Sequence, residues 1–188
     1  MSNPHPWAAD LGLLHDHIWS RLIRGVHDRH APTRHPTLAT VSANGMPQAR
    51  TVVLRDADKQ AATLTLYTDL HSAKVTELRA NLLAELHVWD PSAHLQIRLA
   101  AEVTILEGAE VAERWQRLPE HSRSAYSSGL APGKPIADSL AYAKTPDQTA
   151  FGVLRLDIQT IDALHLGPDH RRAGFSRADH WEGQWRVP

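Results

Sequence analysis

Residues 37–58 read TLATVSANGMPQARTVVLRDAD, and the architecture turns on how this stretch folds. Two β-rich runs, TLATVS from Thr37 and MPQARTVVLR from Met46, meet at Asn44-Gly45. Asn-Gly between such runs predicts a hairpin, because both residues tolerate positive φ. A second turn around Asp56-Ala57-Asp58 leads into TLTLYT, Thr63 to Thr68, so a three-stranded antiparallel meander is expected. Arg50 and Arg55 flank the strand TVVL. Five residues apart, they point to opposite faces if the strand is unbroken, since strand side chains alternate.

Working outward, Leu11, Leu14, Ile18, Leu22 and Val26 recur at spacings of three and four, one face of a helix within Ala8 to His30. Pro32 and Pro36 end that helix and begin extended chain. Downstream, Ser72 is a candidate cap for a helix that places Val75, Leu78 and Leu82 on one face. Ala84 to Trp89 and Leu95 to Leu106 read as strands, and Gly108 opens a helical stretch. A glycine- and proline-rich loop spans Gly129 to Pro135, and FGVLRLDIQTIDAL, 151–164, is a last long strand before a tryptophan-bearing tail. Short strands with inserted helices predict a mainly β domain with peripheral helices (α+β), a closed or split antiparallel barrel and not a parallel sheet.

Composition narrows the chemistry. The chain has 188 residues, one compact domain or one domain with appended helices, and its 42% hydrophobic and 22% charged fractions are ordinary for a globular core. Twenty basic and 21 acidic residues give a net charge of −1, which speaks against a nucleic-acid coat or a basic membrane patch. There is no cysteine, so disulfides, thiolate catalysis and thiolate metal sites are excluded. The start has no basic leader followed by an apolar stretch, and no apolar run is long enough to span a bilayer, so the cytoplasm is the expected location. The 13 histidines lack ligand spacing: HExxH is absent, and His27 and His30 have no carboxylate to complete a set. They read as solvated surface groups, with no metal expected.

Nucleotide and hydrolase signatures are also missing. There is no GxGxxG and no GxSxG, and GLAPGKP at 129–135 is one residue short of a phosphate loop. What remains is a cluster of phosphate-capable groups beside strands. Tyr67-Thr68 ends one strand and Ser72-Ala73-Lys74 opens the next helix, where backbone N–H groups, a hydroxyl and an ammonium make an anion seat. An arginine adds bidentate binding of phosphate, and Gln96, on a strand, can hydrogen-bond a planar heterocycle.

Taken in order, LATVSANGMPQARTVVLR, LYTD, SAKVTELRANLLAELHVW and LQIRLAAEV resemble the flavin-binding core of the pyridoxamine 5'-phosphate oxidase-like family. The likeness is close over Pro36 to Leu106, with echoes to Pro188. It implies an FMN-binding split β-barrel of antiparallel Greek-key type. One domain spans 1–188: an N-terminal helix (1–31), a barrel core (36–106), a helical insertion (107–150) and closing strands (151–188). It also implies a homodimer with FMN at the interface and a small-molecule substrate, without nucleic acid or membrane.

On this resemblance Arg50, Thr51, Val52 and Val53 lie along FMN, Arg50 and Lys74 hold its phosphate, and Tyr67, Thr68 and Ser72 add contacts. Gln96 reaches the ring. Tyr126-Ser127-Ser128 echoes a glutamine-serine pair supplied across the dimer, and Phe151 stands for a tryptophan flanking the flavin. Arg55 matches a lysine that touches substrate phosphate, and Arg117 and Arg171 would join it in a true oxidase. The sequence departs from the family at Ala73, at Tyr126 and in HRRAGFSR, 170–177, where Ala173 or Gly174 stands in place of a substrate histidine. The implied activity is an FMN-dependent oxidoreductase acting on an unidentified small molecule. The alternatives are a non-catalytic FMN carrier or sensor and a true pyridoxamine 5'-phosphate oxidase.

Overall fold

The computed structural model describes residues 5–126, 129–143 and 145–188. A helix α1, Leu11–His27, precedes the first strand. Asp10 caps it by accepting the Leu13 N–H at 2.8 Å, satisfying one of the donors that a helix start leaves open. Its apolar face buries Leu14, Ile18, Trp19 and Leu22. At its far end Arg34 donates to the carbonyls of Val26 (2.6 Å) and Leu54 (3.1 Å), tying the helix end to the barrel.

Nine strands follow among the described residues: β1 Thr37–Val41, β2 Pro47–Thr51, β3 Leu54–Asp58, β4 Thr63–Asp69, β5 Leu83–Asp90, β6 Leu95–Leu106, β7 Phe151–His165, β8 Arg171–Ser176 and β9 Gln184–Arg186. Every pairing is antiparallel, in the path β2-β1-β5-β6-β7-β4-β3. The ends of that path, β2 and β3, are consecutive in the chain with only Val52 and Val53 between them. Thr51 and Leu54 are three chain steps apart and so at most roughly 11 Å from each other, which means the sheet must curl until its edges come together. That is a split barrel, as the sequence predicts.

The expected meander is not formed. β2 pairs only with β1, and β3 only with β4, so the run MPQARTVVLR breaks at Val52-Val53 and serves two hairpins. The physical reason is burial. Val52 sits 8% exposed and gives its N–H to Pro36 O at 2.9 Å, carrying the β1–β2 register one pair further before the chain crosses at Val53 from one sheet edge to the other. Alternation counted through the break therefore does not hold for Arg50 and Arg55. The first hairpin does form at Asn44-Gly45, but only Gly45 takes positive φ (+83°), within a loop closed by Ser42 N–H to Met46 O.

β7 divides the architecture. Its first half pairs with β4 and its second with β8, while β6 follows it throughout. The register slips by one residue at Gln159, opposite Ala100 and Ala101; such a bulge bends a strand and strengthens its twist. Beyond it, β8 pairs with β7 and β9 with β8, and Ala173 and Phe175 of β8 join the main core. The barrel interior is filled by alternate residues, among them Leu38, Leu66, Leu86, Ile97, Leu99 and Leu156. A smaller core of Val111, Trp115, Leu118, Tyr126, Phe151 and Val153 lies under the insertion, which carries α3 (Ala112–Arg117) and α4 (Glu120–Arg123).

Helix α2, Ala73–Ala80, buries Val75 and Leu78 completely. Leu82, expected on the same face, falls beyond the helix and is 44% exposed. The histidines also differ from the sequence reading. His165 is 1% exposed at the end of β7, with His5 Nδ1 2.9 Å from its Nε2 and the Trp7 ring edge-on to it. Aromatic packing of the N-terminal segment against the sheet end provides a burial that residue spacing alone does not show. Among the described residues no group of three or more His, Asp or Glu could hold a metal, and no helix is long and apolar enough to cross a membrane.

Candidate functional site

A cleft of about 290 Å³ opens where β2 gives way to β3, bounded by the end of β4 and the start of α2. Its wall brings together Thr51, Val52, Val53, Arg55, Tyr67, Thr68, Ser72 and Lys74, all expected from the sequence. Asp69, Ala125, Tyr126 and Pro132 complete it. The break at Val52-Val53 is what creates the opening: the residues that link the two strands become the lip of the cleft.

Ser72 stands at the cap position of α2, but its hydroxyl makes no capping bond. It donates instead to Asp69 O (2.7 Å), lies 3.3 Å from Thr68 Oγ1 and accepts from Lys74 Nζ at 2.9 Å. An ammonium has three protons, so the Lys74 group keeps donors for a ligand. The first N–H groups of α2 lack partners within the helix, adding positive dipole at the same spot. Burial lowers the Lys74 pKa below its usual value, reinforced by Arg50 and opposed by Asp69 and Glu77. A bound anion would favour the charged form and so work against this lowering. Asp69, the one carboxylate of the wall, turns its charge to the His71 N–H (2.7 Å) and to the His71 ring (3.3 Å).

At the other end of the cleft Arg55 lies 5.4 Å from the Tyr67 ring centre, a cation–π arrangement. Tyr126 hydrogen-bonds it; burial raises the phenol's pKa and Arg55 draws it back. The Arg55 Nε is buried with no partner. A buried donor left unpaired costs about 1–3 kcal/mol, which an acceptor on a ligand would relieve. Lys74, the α2 start and this orphaned N–H form a donor set that fits a phosphate-bearing, acceptor-rich molecule such as FMN.

The remaining expected residues lie elsewhere. Arg50 stands behind the cleft and donates to Thr40 Oγ1 and, at 2.9 Å, to Glu77 Oε2. Gln96 is on β6 beside His87 (3.4 Å) and takes no part in the cleft wall. Phe151 is fully buried, edge-on to Tyr67 and Tyr126 at 5.2 and 5.0 Å. It supports the wall from behind and presents no face to a ligand. Arg117 is 75% exposed and pairs with Glu113 on its own helix, as one-turn spacing favours. Arg171, on β8, reaches Asp169 at 3.5 Å. Ser127 lies outside the described residues.

Tyr126 and Pro132 enter the wall unexpectedly, because the sequence reading treated one as a departure and the other as plain loop. A larger cavity of about 380 Å³ shares Asp69, Ala125 and Pro132 with the cleft and extends under the loop of Leu130, Lys134 and Tyr142. The charged and orphaned donors sit in the smaller one, which we take as the site.

The family model for the pyridoxamine 5'-phosphate oxidase FMN-binding domain matches residues 16–107, from α1 through β6. The chain is 34% identical over 173 residues to a pyridoxine/pyridoxamine 5'-phosphate oxidase of Acinetobacter baumannii, covering 80% of this chain and 74% of that one. A crystal structure of a pyridoxamine 5'-phosphate oxidase-related, FMN-binding protein from Nostoc punctiforme superposes over all of both chains with TM-score 0.71 and 27% identity. PhzG from Burkholderia lata shares the fold at TM-score 0.73 and 18% identity, over 100% of this chain and 98% of that one. The chain belongs to the FMN-binding, split-barrel family of the pyridoxamine 5'-phosphate oxidases.

Proposed function

We propose that the protein is an FMN-dependent oxidoreductase that acts on a small molecule as a homodimer. The observation that carries the reading is the cleft at the β2–β3 break. There Lys74 and Ser72 face one end and a partnerless Arg55 Nε the other, within an FMN-binding family. FMN supplies the electron or hydride transfer when bound. The protein's part is to bind and orient. Lys74, Ser72 and the α2 start hold the phosphate, while Thr51 to Val53 line the cofactor's flank. Arg55, steadied by Tyr67 and Tyr126, offers a cation and a free N–H to an acceptor at the far end.

The single-chain cleft is at the small end of ligand sites, which run from roughly 300 to 1,000 Å³. A second copy would supply further wall, and Gln96, outside the cleft on its own chain, is available to reach the flavin ring in that copy. Exposed Met46, Leu83 and Trp89 offer apolar surface for such an interface.

A second reading, FMN binding without turnover, draws on β8. The stretch that in an oxidase carries a substrate histidine has Ala173, fully buried, and Gly174, whose missing side chain leaves room filled by the Arg186 guanidinium. No imidazole can stand there without displacing Arg186, which also weakens the case for a true pyridoxamine 5'-phosphate oxidase. The test is the visible spectrum of purified protein before and after FMN addition and desalting, followed by turnover with NADH, NADPH and pyridoxamine phosphate. Retained flavin with turnover supports the oxidoreductase. Flavin without turnover on these compounds favours the carrier or sensor, and protein that refuses FMN sinks both.

A further inference from the structure

The phosphate end of the cleft has an acidic neighbour, Glu77, that lies outside the cleft wall. Glu77 lies one turn beyond Lys74 on α2, hence on the same helix face. Its side chain is 10% exposed, and one oxygen, Oε2, accepts from both Arg50 Nη2 (2.9 Å) and Thr40 Oγ1 (2.5 Å). Thr40, 4% exposed on β1, accepts in turn from Arg50 Nη1, which also reaches Leu38 O at 3.4 Å. The guanidinium is thus clamped between a strand and a helix, with its charge matched by a carboxylate in a half-buried setting. Arg50 and Glu77 are both close enough to Lys74 to shift its proton affinity, in opposite directions.

We propose that Glu77 is a positioning residue that sets the strength of the phosphate seat, holding Arg50 against β1 and offsetting its charge. A phosphate on Lys74 and Ser72 then meets one unit less positive charge than Arg50 and Lys74 alone would present. The seat grips FMN less tightly than its cations allow, and Glu77 tunes the preference for the phosphorylated flavin. This rests on the reading that the cleft takes FMN.

Riboflavin carries the same ring without the phosphate, so comparing the two ligands isolates the seat. Dissociation constants for FMN and riboflavin are measured by flavin fluorescence on the full-length apoprotein and on Glu77→Gln, which keeps shape and an acceptor while removing charge. FMN should bind about 3–10-fold tighter to the variant, with riboflavin unchanged within about twofold. A second comparison guards against a poorly folded single variant. Arg50→Gln leaves Glu77 uncompensated and should weaken FMN alone, and adding Glu77→Gln to it should recover about tenfold or more. Equal shifts for both flavins, or no FMN gain from Glu77→Gln in either background, overturn the proposal and assign Glu77 a purely structural part. Wild-type protein that binds neither flavin removes the reading of the cleft itself and this inference with it. FMN binding by wild type with the overturning results removes the Glu77 inference alone.

Discussion

Acidification should destabilise this fold through one histidine. His165 is buried at the end of β7, its Nδ1 has no partner, and its pKa is lowered from 6.5 to about 4. Burial is the main cause, followed by His5, Arg171, His94 and His170. The folded ring therefore stays neutral down to pH about 4, whereas the unfolded chain takes up the proton below about 6.5. Between these values the unfolded state binds more protons, so stability is intact above pH 6.5 and falls as the pH drops toward 4. At about 1.4 kcal/mol per pH unit the full window would cost about 3.4 kcal/mol. His94 and His170 are exposed, so water screens part of the repulsion, and about 1–2 kcal/mol is the expected net loss. Urea unfolding at pH 7.5 and 4.5 of wild type and His165→Gln measures it, since glutamine does not titrate. Wild type should lose about 1–2 kcal/mol more than the variant over that interval. Equal losses would refute the assignment and place the acid sensitivity in other groups.

Two further outcomes test the site and its frame. Lys74→Met should weaken FMN by about 10–100-fold, the worth of one charge-assisted hydrogen bond, with riboflavin little affected; equal weakening of both would show that Lys74 does not touch the phosphate. Gly152 in β7 packs so closely on Leu70 that an added Cβ would lie 2.9 Å from its Cγ. Gly152→Ala should cost about 1–3 kcal/mol by denaturant midpoint and disturb the adjoining strand end at Thr68, whereas an unchanged midpoint would mean that Leu70 swings aside freely.

Periodicity and ordered motifs made several features legible in the sequence. The spacing of Leu14, Ile18 and Leu22 marks α1, alternation marks β5 to β7, and Asn44-Gly45 marks the first hairpin, because each is local to a few residues. The run of Tyr67-Thr68 and Ser72-x-Lys74 marks one wall of the cleft, the proposed phosphate seat, for the same reason: a strand end and a helix start put these groups side by side without help from elsewhere. Tertiary structure alone decided the rest. The chain between Arg50 and Arg55 looks like one strand, yet barrel closure splits it into the two edges of the sheet, and the cleft exists only because of that split. The resemblance sets Phe151 against the flavin, and His165 reads as a solvated surface group; the insertion covers the first and the N-terminal segment the second. Tyr126 and Glu77 join the site from chain stretches about 70 and 27 residues away from their partners Arg55 and Arg50, a proximity that packing creates and local pattern does not encode.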